Sequence, residues 1–472
     1  MAASKNTDLG TGSVAGLIVR LSVPAIVAQL INVLYNIVDR IYIGHIPVVG
    51  TAALTGVGVT FPILTLISAF SYFVGSGGAP QAAISMGRGD NDYAEKILGN
   101  CFASLIFISV ILTVFILIFK RNILMAFGAS QNTIDYAVSY ISIYACGTFF
   151  VQLVLGLNTF ISCQGFASVA MRTTVIGAVL NLILDPVFIF AFNMGVKGAA
   201  LATVISQAVS CVWVLKFLTG NKSVLRLRKK YIHFDKKIVL SVTALGVSPF
   251  IMQSTESILS VCFNSSLQFY GQDLAVGAMT ILSSVMQFAL LPIMGICQGG
   301  QPIISFNYGA EKTDRVKKAF KIIFACCTGY TCLMWLAVFI NPHIFASIFT
   351  SDEILISFAS WAVKIYMGAT LLMGMQISCQ QTFVALNQPK ISLFLAVLRK
   401  IVLLIPMVFI LPRILPESFC MNFVPLEFTS LMSEPAKVFA VFLAEPVSDF
   451  IAILTTVTVF SLNFNKILNI KK

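Results

Sequence analysis

The sequence predicts an all-α polytopic membrane protein whose twelve transmembrane helices form two pseudo-symmetric six-helix lobes. Of its 472 residues, 58% are hydrophobic and only 11% are charged, whereas soluble domains contain about 25% charged residues. Apolar segments long enough to cross a bilayer, which takes about 20 residues, recur along most of the chain. A glycine-rich segment of the first half also returns in the second half, and such repeats are typical of secondary transporters.

Twelve segments have the length and hydropathy of a membrane-spanning helix. The first is too long for the apolar core of a signal peptide, and no small-residue cleavage site follows it, so we expect it to be retained. Residues 412–435 are interrupted by prolines and are expected to form an outer loop or a re-entrant segment. The predicted spans are residues 17–43, 51–78, 94–119, 135–158, 166–191, 196–218, 238–264, 273–298, 318–340, 355–380, 390–411 and 436–462.

Two related glycine-rich segments indicate that the chain is a tandem repeat. Six positions of the segment that starts at Gly75 recur, 222 residues later, in the segment that starts at Gly295. Because each repeat holds six helices, an even number, both copies have the same orientation, and the functional site is expected between or within the halves. The matched pairs are Gly77 and Gly299, Gly78 and Gly300, Pro80 and Pro302, Gly87 and Gly309, Asp92 and Asp314, and Lys96 and Lys318.

The lysine and arginine residues predict the orientation of the chain. With the N-terminus in the cytoplasm, most of them lie inside, as the positive-inside rule requires. The outside then holds only Lys120, Arg121, Lys197, Arg413 and Lys437. We therefore expect a multi-pass protein of the cell (plasma or inner) membrane with both termini cytoplasmic.

The expected organisation follows from the spans and the charges. A cytoplasmic tail at 1–16 precedes an N-terminal lobe at 17–218, and a connector at 219–237 leads to a C-terminal lobe at 238–462 and a cytoplasmic tail at 463–472. The connector contains the strongest basic run of a chain whose net charge is +12. We interpret this run as a cytoplasmic segment that rests on anionic lipid headgroups, and we expect no nucleic-acid partner.

A polar stripe marks the first span. Gln29, Asn32, Asn36 and Asp39 recur at helical spacing and share one face. A carboxylate within a membrane-spanning helix costs about 3 kcal/mol or more unless it faces a cavity, an ion or a partner. The three amides favour a cavity, with Tyr35 on its wall. The neighbouring Arg40 leaves an alternative open, in which the acid and the base anchor the helix at the interface or pair with each other.

A second acid lies in the fifth span, in NLILDPVFIF. Asn181 precedes Asp185 by four residues and shares its helix face, and Pro186 frees a backbone carbonyl one turn earlier. An acid, an amide and a carbonyl on one face can hold a proton or a hard cation. Thr203 in the sixth span and Asp39 lie at a similar depth, so we expect these side chains to share one site.

The second half contains both acids and bases at membrane depth. Glu256, with Gln253 one turn before it, lies in the seventh span, and Arg399 and Lys400 lie in the eleventh. Glu256 is either part of a second proton or cation site or the partner of one of these bases. Both alternatives remain open at the level of sequence.

Enzymatic motifs are missing. The three histidines lie at or outside the ends of the spans, and there is no HExxH, no GxSxG with a histidine partner and no phosphate-binding GxxxxGK[ST] segment. The eleven cysteines form no CxxC or Cys/His cluster and are interpreted as small packing residues. We expect neither an enzyme nor a cofactor other than a coupling ion.

Several segments resemble the multidrug and toxic compound extrusion (MATE) transporters. They are LYNIVDRIYIG with the following GTAALTGVGVTFP, the pair GGAPQAAISMGRGD and GGQPIISFNYGAEK, and NLILDPVFIF. The resemblance covers residues 17–411 and, more loosely, 436–462. It implies two six-helix lobes that alternate between outward and inward openings, and the export of amphipathic, often cationic drugs or dyes in exchange for H⁺ or Na⁺.

The resemblance also implies site residues. The cation site of the N-terminal lobe maps onto Asp39, Asn181, Asp185 and Thr203, and the seventh-helix acid of some branches maps onto Glu256. Those branches have a further acid in the tenth helix, which this chain lacks, so coupling through the N-terminal lobe is favoured. We expect a monomer whose partners are small molecules and membrane lipids.

Three other functions compete with this interpretation. A lipid-linked oligosaccharide or lipid flippase of the same superfamily would share the lobes, but it would be expected to have about fourteen helices and a basic cavity. A major-facilitator carrier would carry several arginines in the loop between the second and third spans, where this chain has MGRGDNDYAEK. A membrane-embedded enzyme would need a catalytic cluster.

Overall fold

A computed structural model of the chain describes residues 9–47 and 49–469. All of the regular secondary structure in these residues is helical. Residues 1–8 of the predicted N-terminal tail and residues 470–472 of the predicted C-terminal tail lie outside the described residues. The rest of the predicted C-terminal tail continues the last helix, which ends at Asn469.

The first half contains six long helices. Most extend beyond the predicted spans because their polar end turns stay helical, as at Asp90, whose side chain accepts a hydrogen bond from the Tyr93 N–H at 2.9 Å. The helices are α1 (Val14–Gly44), α2 (Gly50–Gly87), α3 (Asn91–Ala126), α4 (Ile134–Cys163), α5 (Ala167–Pro186, continuing as the π-helix Val187–Ala191) and α6 (Val196–Thr219).

The second half is less regular. A helical segment from Lys236 to Gly309 is broken at Gln272, whose φ is 55°, and therefore consists of two helices. The helices are α7 (236–271), α8 (273–309), α9 (Thr313–Ile340), α10 (Glu353–Tyr366 and Thr370–Ala385, bent by 50°), α11 (Pro389–Val397, the π-helix Leu398–Leu404 and Ile405–Ile414) and α12 (Pro435–Asn469). Within the described residues this gives twelve apolar spans when the bent pair is counted as one, which confirms the predicted fold class.

The segment between α11 and α12 is folded. It forms two short helices, Glu417–Met421 and Leu426–Thr429, and Phe428 packs against the rings of Phe358 and Trp361. The Trp361 indole N–H donates a hydrogen bond to the Phe423 carbonyl at 2.8 Å. The part of the chain too irregular to span is thus held over a buried apolar core.

The contacts divide the chain into two compact units. The first unit contains Met1–Gln253, Gln298–Ala319 and Val384–Pro389, and the second contains Ser254–Cys297, Phe320–Phe383 and Lys390–Lys472. Each unit has its own hydrophobic core. The lobe boundaries drawn from the repeat differ from this division and stay a prediction.

The tandem repeat is visible in the packing of the first unit. Gly87 of α2 lies against the backbone of Phe306, and its repeat counterpart Gly309 of α8 lies against the backbone of Ile84. A Cβ atom on either glycine would collide with the opposing carbonyl oxygen. The two glycines therefore allow α2 and α8 to cross in close backbone contact, because each glycine makes room for the backbone of the opposite helix.

The basic connector is anchored by polar side chains. The Oε1 atom of Gln164 accepts hydrogen bonds from the Ser223 hydroxyl and from the backbone N–H groups of Val224 and Leu225, each at 2.9 Å. The Arg228 Nε and Glu95 Oε2 atoms lie 2.7 Å apart. Part of the connector is thus fixed by protein groups, which the sequence did not predict.

Replacing Gln164 by alanine is expected to release the connector. The change leaves the backbone N–H groups of Val224 and Leu225 without their acceptor, whereas the Ser223 hydroxyl still donates to the Leu225 carbonyl. Each such loss at a buried site costs about 1–3 kcal/mol. We expect trypsin to cleave after Lys229 or Lys230 at least about tenfold faster, because proteolysis follows the open population. Gln131→Ala, at an exposed residue of the same unit, is the control, and equal cleavage of both variants would contradict the anchoring role.

Candidate functional site

Three helices bring two acids together in the first unit. α1 packs along α5, and α5 packs along α6. Asp185 is fully buried, and its carboxyl group interacts side chain to side chain with that of Asp39. The structure thus brings the predicted acids into one site, although they are 146 residues apart in the chain.

Asn181 and Thr203 complete the predicted group of four. The Asn181 amide Nδ2 donates to Asp185 Oδ1 at 3.1 Å and to the Thr203 hydroxyl oxygen at 3.3 Å. The Thr203 hydroxyl in turn donates to the Ala199 carbonyl at 3.0 Å. One amide therefore links α5 to α6 and fixes one oxygen of the acid.

Two carboxylate oxygens of this site have no hydrogen-bond partner within residues 9–47 and 49–469. They are Asp39 Oδ1 and Asp185 Oδ2, and both are buried from solvent. A buried, unpaired carboxylate oxygen is costly, and no basic side chain forms an ion pair with either acid among the described residues. The pair therefore holds buried carboxylate oxygens that no described protein group satisfies.

Helix α5 changes its geometry beside the acid. Pro186 has no N–H, so the regular helix ends there, and the chain continues as a π-helix in which the Phe192 N–H donates to the Val187 carbonyl at 2.9 Å. π-helical turns occur frequently at functional sites. The proline that follows Asp185 in the sequence is thus also the point at which the helix changes from α to π geometry.

Arg40 forms no close ion pair with its neighbour Asp39 in the described residues. Its guanidinium instead lies over the ring of Phe61, 5.0 Å from the ring centroid. Of the alternatives left open by the sequence, the structure therefore disfavours direct pairing of this acid and base.

Sequence reasoning predicted Tyr35 but missed the other tyrosines near the acids, of which Tyr140 and Tyr144 are buried. Tyr140 and Tyr144 of α4 stack with 6.1 Å between ring centroids, and the Tyr140 hydroxyl contacts that of Thr203. Tyr72 of α2 lies beside Tyr35 of α1. The available signal was the spacing of Tyr136, Tyr140 and Tyr144, which are separated by four residues each and so share one face of an apolar helix.

A polar cavity of about 160 Å³ adjoins this site within the first unit. Its wall is rich in amide and hydroxyl groups, and the oxygen atoms Asn158 Oδ1, Gln207 Oε1 and Ser206 Oγ are buried with no partner in the part of the chain that the structure describes. Among its lining residues are Gln29, Asn32, Tyr35, Tyr72, Asn158, Asn181, Thr203, Ser206, Gln207, Gln298 and Gln301. The cavity is therefore suited to a guest that donates hydrogen bonds or carries positive charge.

Six residues were predicted to line the cavity. Three of them do so, namely Gln29, Asn32 and Tyr35. Gln29 also donates to the Gln298 side chain at 3.2 Å. Asn36 is exposed and donates to the Asn32 carbonyl. Gln253 belongs to the same unit but is not part of the lining, and Glu256 belongs to the second unit. The stripe on α1 thus supplies this cavity only along its first turns.

The charged residues of the second half form an ion-pair network within the second unit. Lys400 Nζ lies 2.8 Å from Glu256 Oε1, and Arg399 Nε lies 2.7 Å from Asp449 Oδ1. Arg399 Nη2 also lies 3.9 Å from Glu445 Oε1. Both bases sit in the π-helical part of α11, so each of the repeat-related helices α5 and α11 has a π-helix next to buried charges.

Comparisons with known proteins agree with this architecture. The sequence model of the MatE family matches residues 24–187 and 248–410. "Multidrug export protein MepA" of Staphylococcus saprophyticus is 26% identical over 392 residues, which are 83% of this chain and 85% of that protein. Solved structures of a MATE protein in complex with MaL6 and of an outward-facing multidrug resistance MATE family transporter are each 20% identical over 98% of this chain and 99% of theirs, with TM-scores of 0.87 and 0.86.

The matched regions comprise most of the chain and include both repeats, together with Asp39, Asn181 and Asp185. The likeness of the solved structures extends over the same twelve spans. The chain belongs to the MatE family.

Proposed function

We propose that this protein is a secondary active multidrug efflux antiporter that exports amphipathic, often cationic organic compounds in exchange for H⁺ or Na⁺. The observation that carries the proposal is the acid pair Asp39 and Asp185, each with one buried oxygen that has no hydrogen-bond partner among the described residues, next to a polar cavity. The names of the relatives, which are multidrug export proteins, support the choice of cargo.

The electrostatics of the pair favour the binding of either a proton or Na⁺. Two ionised carboxylates in contact within the membrane repel each other strongly, and among the described residues neither of them forms an ion pair with a basic side chain. A proton or a Na⁺ ion removes this repulsion. For Na⁺, the oxygens of Asp39, Asp185, Thr203 and the Asn181 side chain are the ligand types that hard cations prefer.

The substrate competes with the ion for the same charge. A cationic compound in the cavity next to the acids gains from their negative charge only when the ion has left. Because occupancy by ion and by substrate is then exclusive, a difference in affinity between the outward-facing and inward-facing states drives antiport. Tyr35, together with the amides Gln29 and Asn32, provides aromatic and polar contacts that suit varied amphipathic cations.

The remaining expectations belong to the same proposal. The protein acts as a monomer in the cell membrane, with both termini in the cytoplasm as the distribution of basic residues predicts. A lipid or lipid-linked oligosaccharide flippase is less well supported, because a pyrophosphate headgroup needs basic groups, and the cavity lining of the first unit has none.

Reconstitution tests the proposal. The purified protein is placed in liposomes, rhodamine 6G is added to one side, and internal pH and ²²Na⁺ are followed. We expect the dye to drive H⁺ or Na⁺ in the opposite direction through protein-containing vesicles but not through empty ones. Dye transport without movement of either ion would contradict antiport.

A further inference from the structure

The ion-pair network of the second unit lacks one positive charge. Its members are the carboxylates of Glu256, Glu445 and Asp449 and the bases Arg399 and Lys400. Three acids against two bases leave one uncompensated negative charge when all are ionised. At membrane depth such a charge is costly, so the network has room for one further monovalent cation or proton.

The network is closed at one end and open at the other. Asp449 and Glu445 have side-chain exposures of 1% and 6%, and those of Arg399 and Lys400 are 9% and 8%. The Glu256 side chain, near the middle of α7, is 57% exposed. A cation that arrives from outside the network can therefore reach Glu256 but not the enclosed acids.

Lys400 already fills the place that such a cation would take. Its ammonium group forms the 2.8 Å contact with Glu256 from the enclosed side. The lysine side chain is a point charge on a flexible four-carbon stem, so it can leave this acid without a change of backbone. Because an unpaired ammonium group at membrane depth is costly, Lys400 can leave Glu256 only if a second carboxylate lies within its reach.

Glu445 is that second carboxylate. Among the described residues the only ion pair of Glu445 is the long 3.9 Å contact with Arg399 Nη2. The Nε atom of the same guanidinium lies 2.7 Å from Asp449, one helical turn after Glu445. The charge of Lys400 already acts on Glu445. The carboxylates of Asp449 and Glu256 also act on it, and its charge acts in turn on the phenol of Tyr366 from α10. A buried acid with a weak partner is thus available near the ammonium.

We propose that the second unit contains a separate binding site for one monovalent organic cation at Glu256, in which Lys400 is a built-in competitor. When the cation binds, the Lys400 ammonium moves from Glu256 to Glu445, and the network becomes neutral. The site does not depend on Asp39 or Asp185, so it stands or falls independently of the coupling proposed for the first unit.

Equilibrium binding of tetraphenylphosphonium to the full-length protein in nanodiscs tests this site. All variants carry Asp39→Asn and Asp185→Asn, which remove the acids of the first unit, and the binding that Glu256→Gln abolishes defines the site. We expect Lys400→Met to tighten this binding about tenfold, within the usual range of coupling between two ligands. The control Lys364→Met, at an exposed lysine of the same unit, leaves it unchanged.

Glu445 provides the decisive comparison. Glu445→Gln, which is nearly isosteric, is expected to weaken binding about tenfold when Lys400 is present, because the displaced ammonium loses its destination. In the Lys400→Met background the same change is expected to have no effect. An equal loss in both backgrounds, or binding that Lys400→Met fails to strengthen, would overturn the proposal. If Lys400→Met does not fold, Lys400→Gln replaces it, and unchanged binding in Glu445→Gln alone also rejects the mechanism.

Discussion

Replacing Asp185 by asparagine is expected to abolish ion-coupled export while leaving the protein folded. Asparagine has nearly the same shape and can still accept the hydrogen bond from Asn181, which the structure places at 3.1 Å from the acid. What it removes is the negative charge that attracts the ion and the cationic substrate in turn. We expect dye-driven ion flux in proteoliposomes to fall about 100-fold. Such a factor lies near the upper end of the range of about 5–150-fold that is typical of coupling between two ligands.

Two variants control for indirect effects of this change. Asp39→Asn is expected to abolish coupling as well, since its carboxyl group interacts directly with that of Asp185. Asp135→Asn, at an acid of the same unit whose side chain is 82% exposed, is expected to transport normally. Coupled flux that survives in both Asp185→Asn and Asp39→Asn would show that the ion binds elsewhere.

Filling the cavity is expected to block substrate binding without removing the acids. Ala178 of α5 is buried in the cavity wall, and a tryptophan at this position would occupy much of a space of about 160 Å³. Because overfilled sites cost about 1–3 kcal/mol, we expect Ala178→Trp to weaken binding of rhodamine 6G by at least about tenfold. Fluorescence anisotropy of the dye with the protein in nanodiscs measures this.

The neighbouring residue supplies the matched control. Val179 follows Ala178 on the same helix but is 48% exposed and is not part of the lining. Val179→Trp adds the same side chain to the same helix turn on another face, so dye binding is expected to stay near the wild-type value. Equal losses in the two variants would place the substrate outside this cavity.

The fold was predictable because membrane solvation leaves few alternatives. Only helices satisfy their backbone groups in lipid without a closed barrel, so apolar length alone located the spans. The repeat was equally visible, and the mutual packing of Gly87 and Gly309 shows its physical basis, which is a backbone approach that only glycine permits. The break at Gln272 was anticipated as a boundary between spans, but its left-handed φ carries no sequence signal.

The candidate site was predictable in its acids and in the polar residues that share their helix faces or their depth. Asp39 and Asp185 stood out because each is costly in an apolar helix, and Asn181 followed from the four-residue spacing. Tyr140 and Tyr144 did not stand out, since aromatic residues are common in apolar helices and only tertiary packing places them beside the acids. The pairing of Lys400 with Glu256, 144 residues earlier in the chain, likewise depends on which helix faces meet.

The exchange of ion for substrate at Asp39 and Asp185 is tested most directly by ion release on substrate binding. Tetraphenylphosphonium is titrated into the purified protein in weakly buffered solution, and released protons and displaced ²²Na⁺ are counted per substrate bound. We predict that the wild type releases about one ion per bound substrate, as exclusive occupancy requires, and that Asp39→Asn/Asp185→Asn releases none. Undiminished release from the double variant would contradict the exchange at Asp39 and Asp185. Substrate binding by the wild type without release of either ion would contradict it as well.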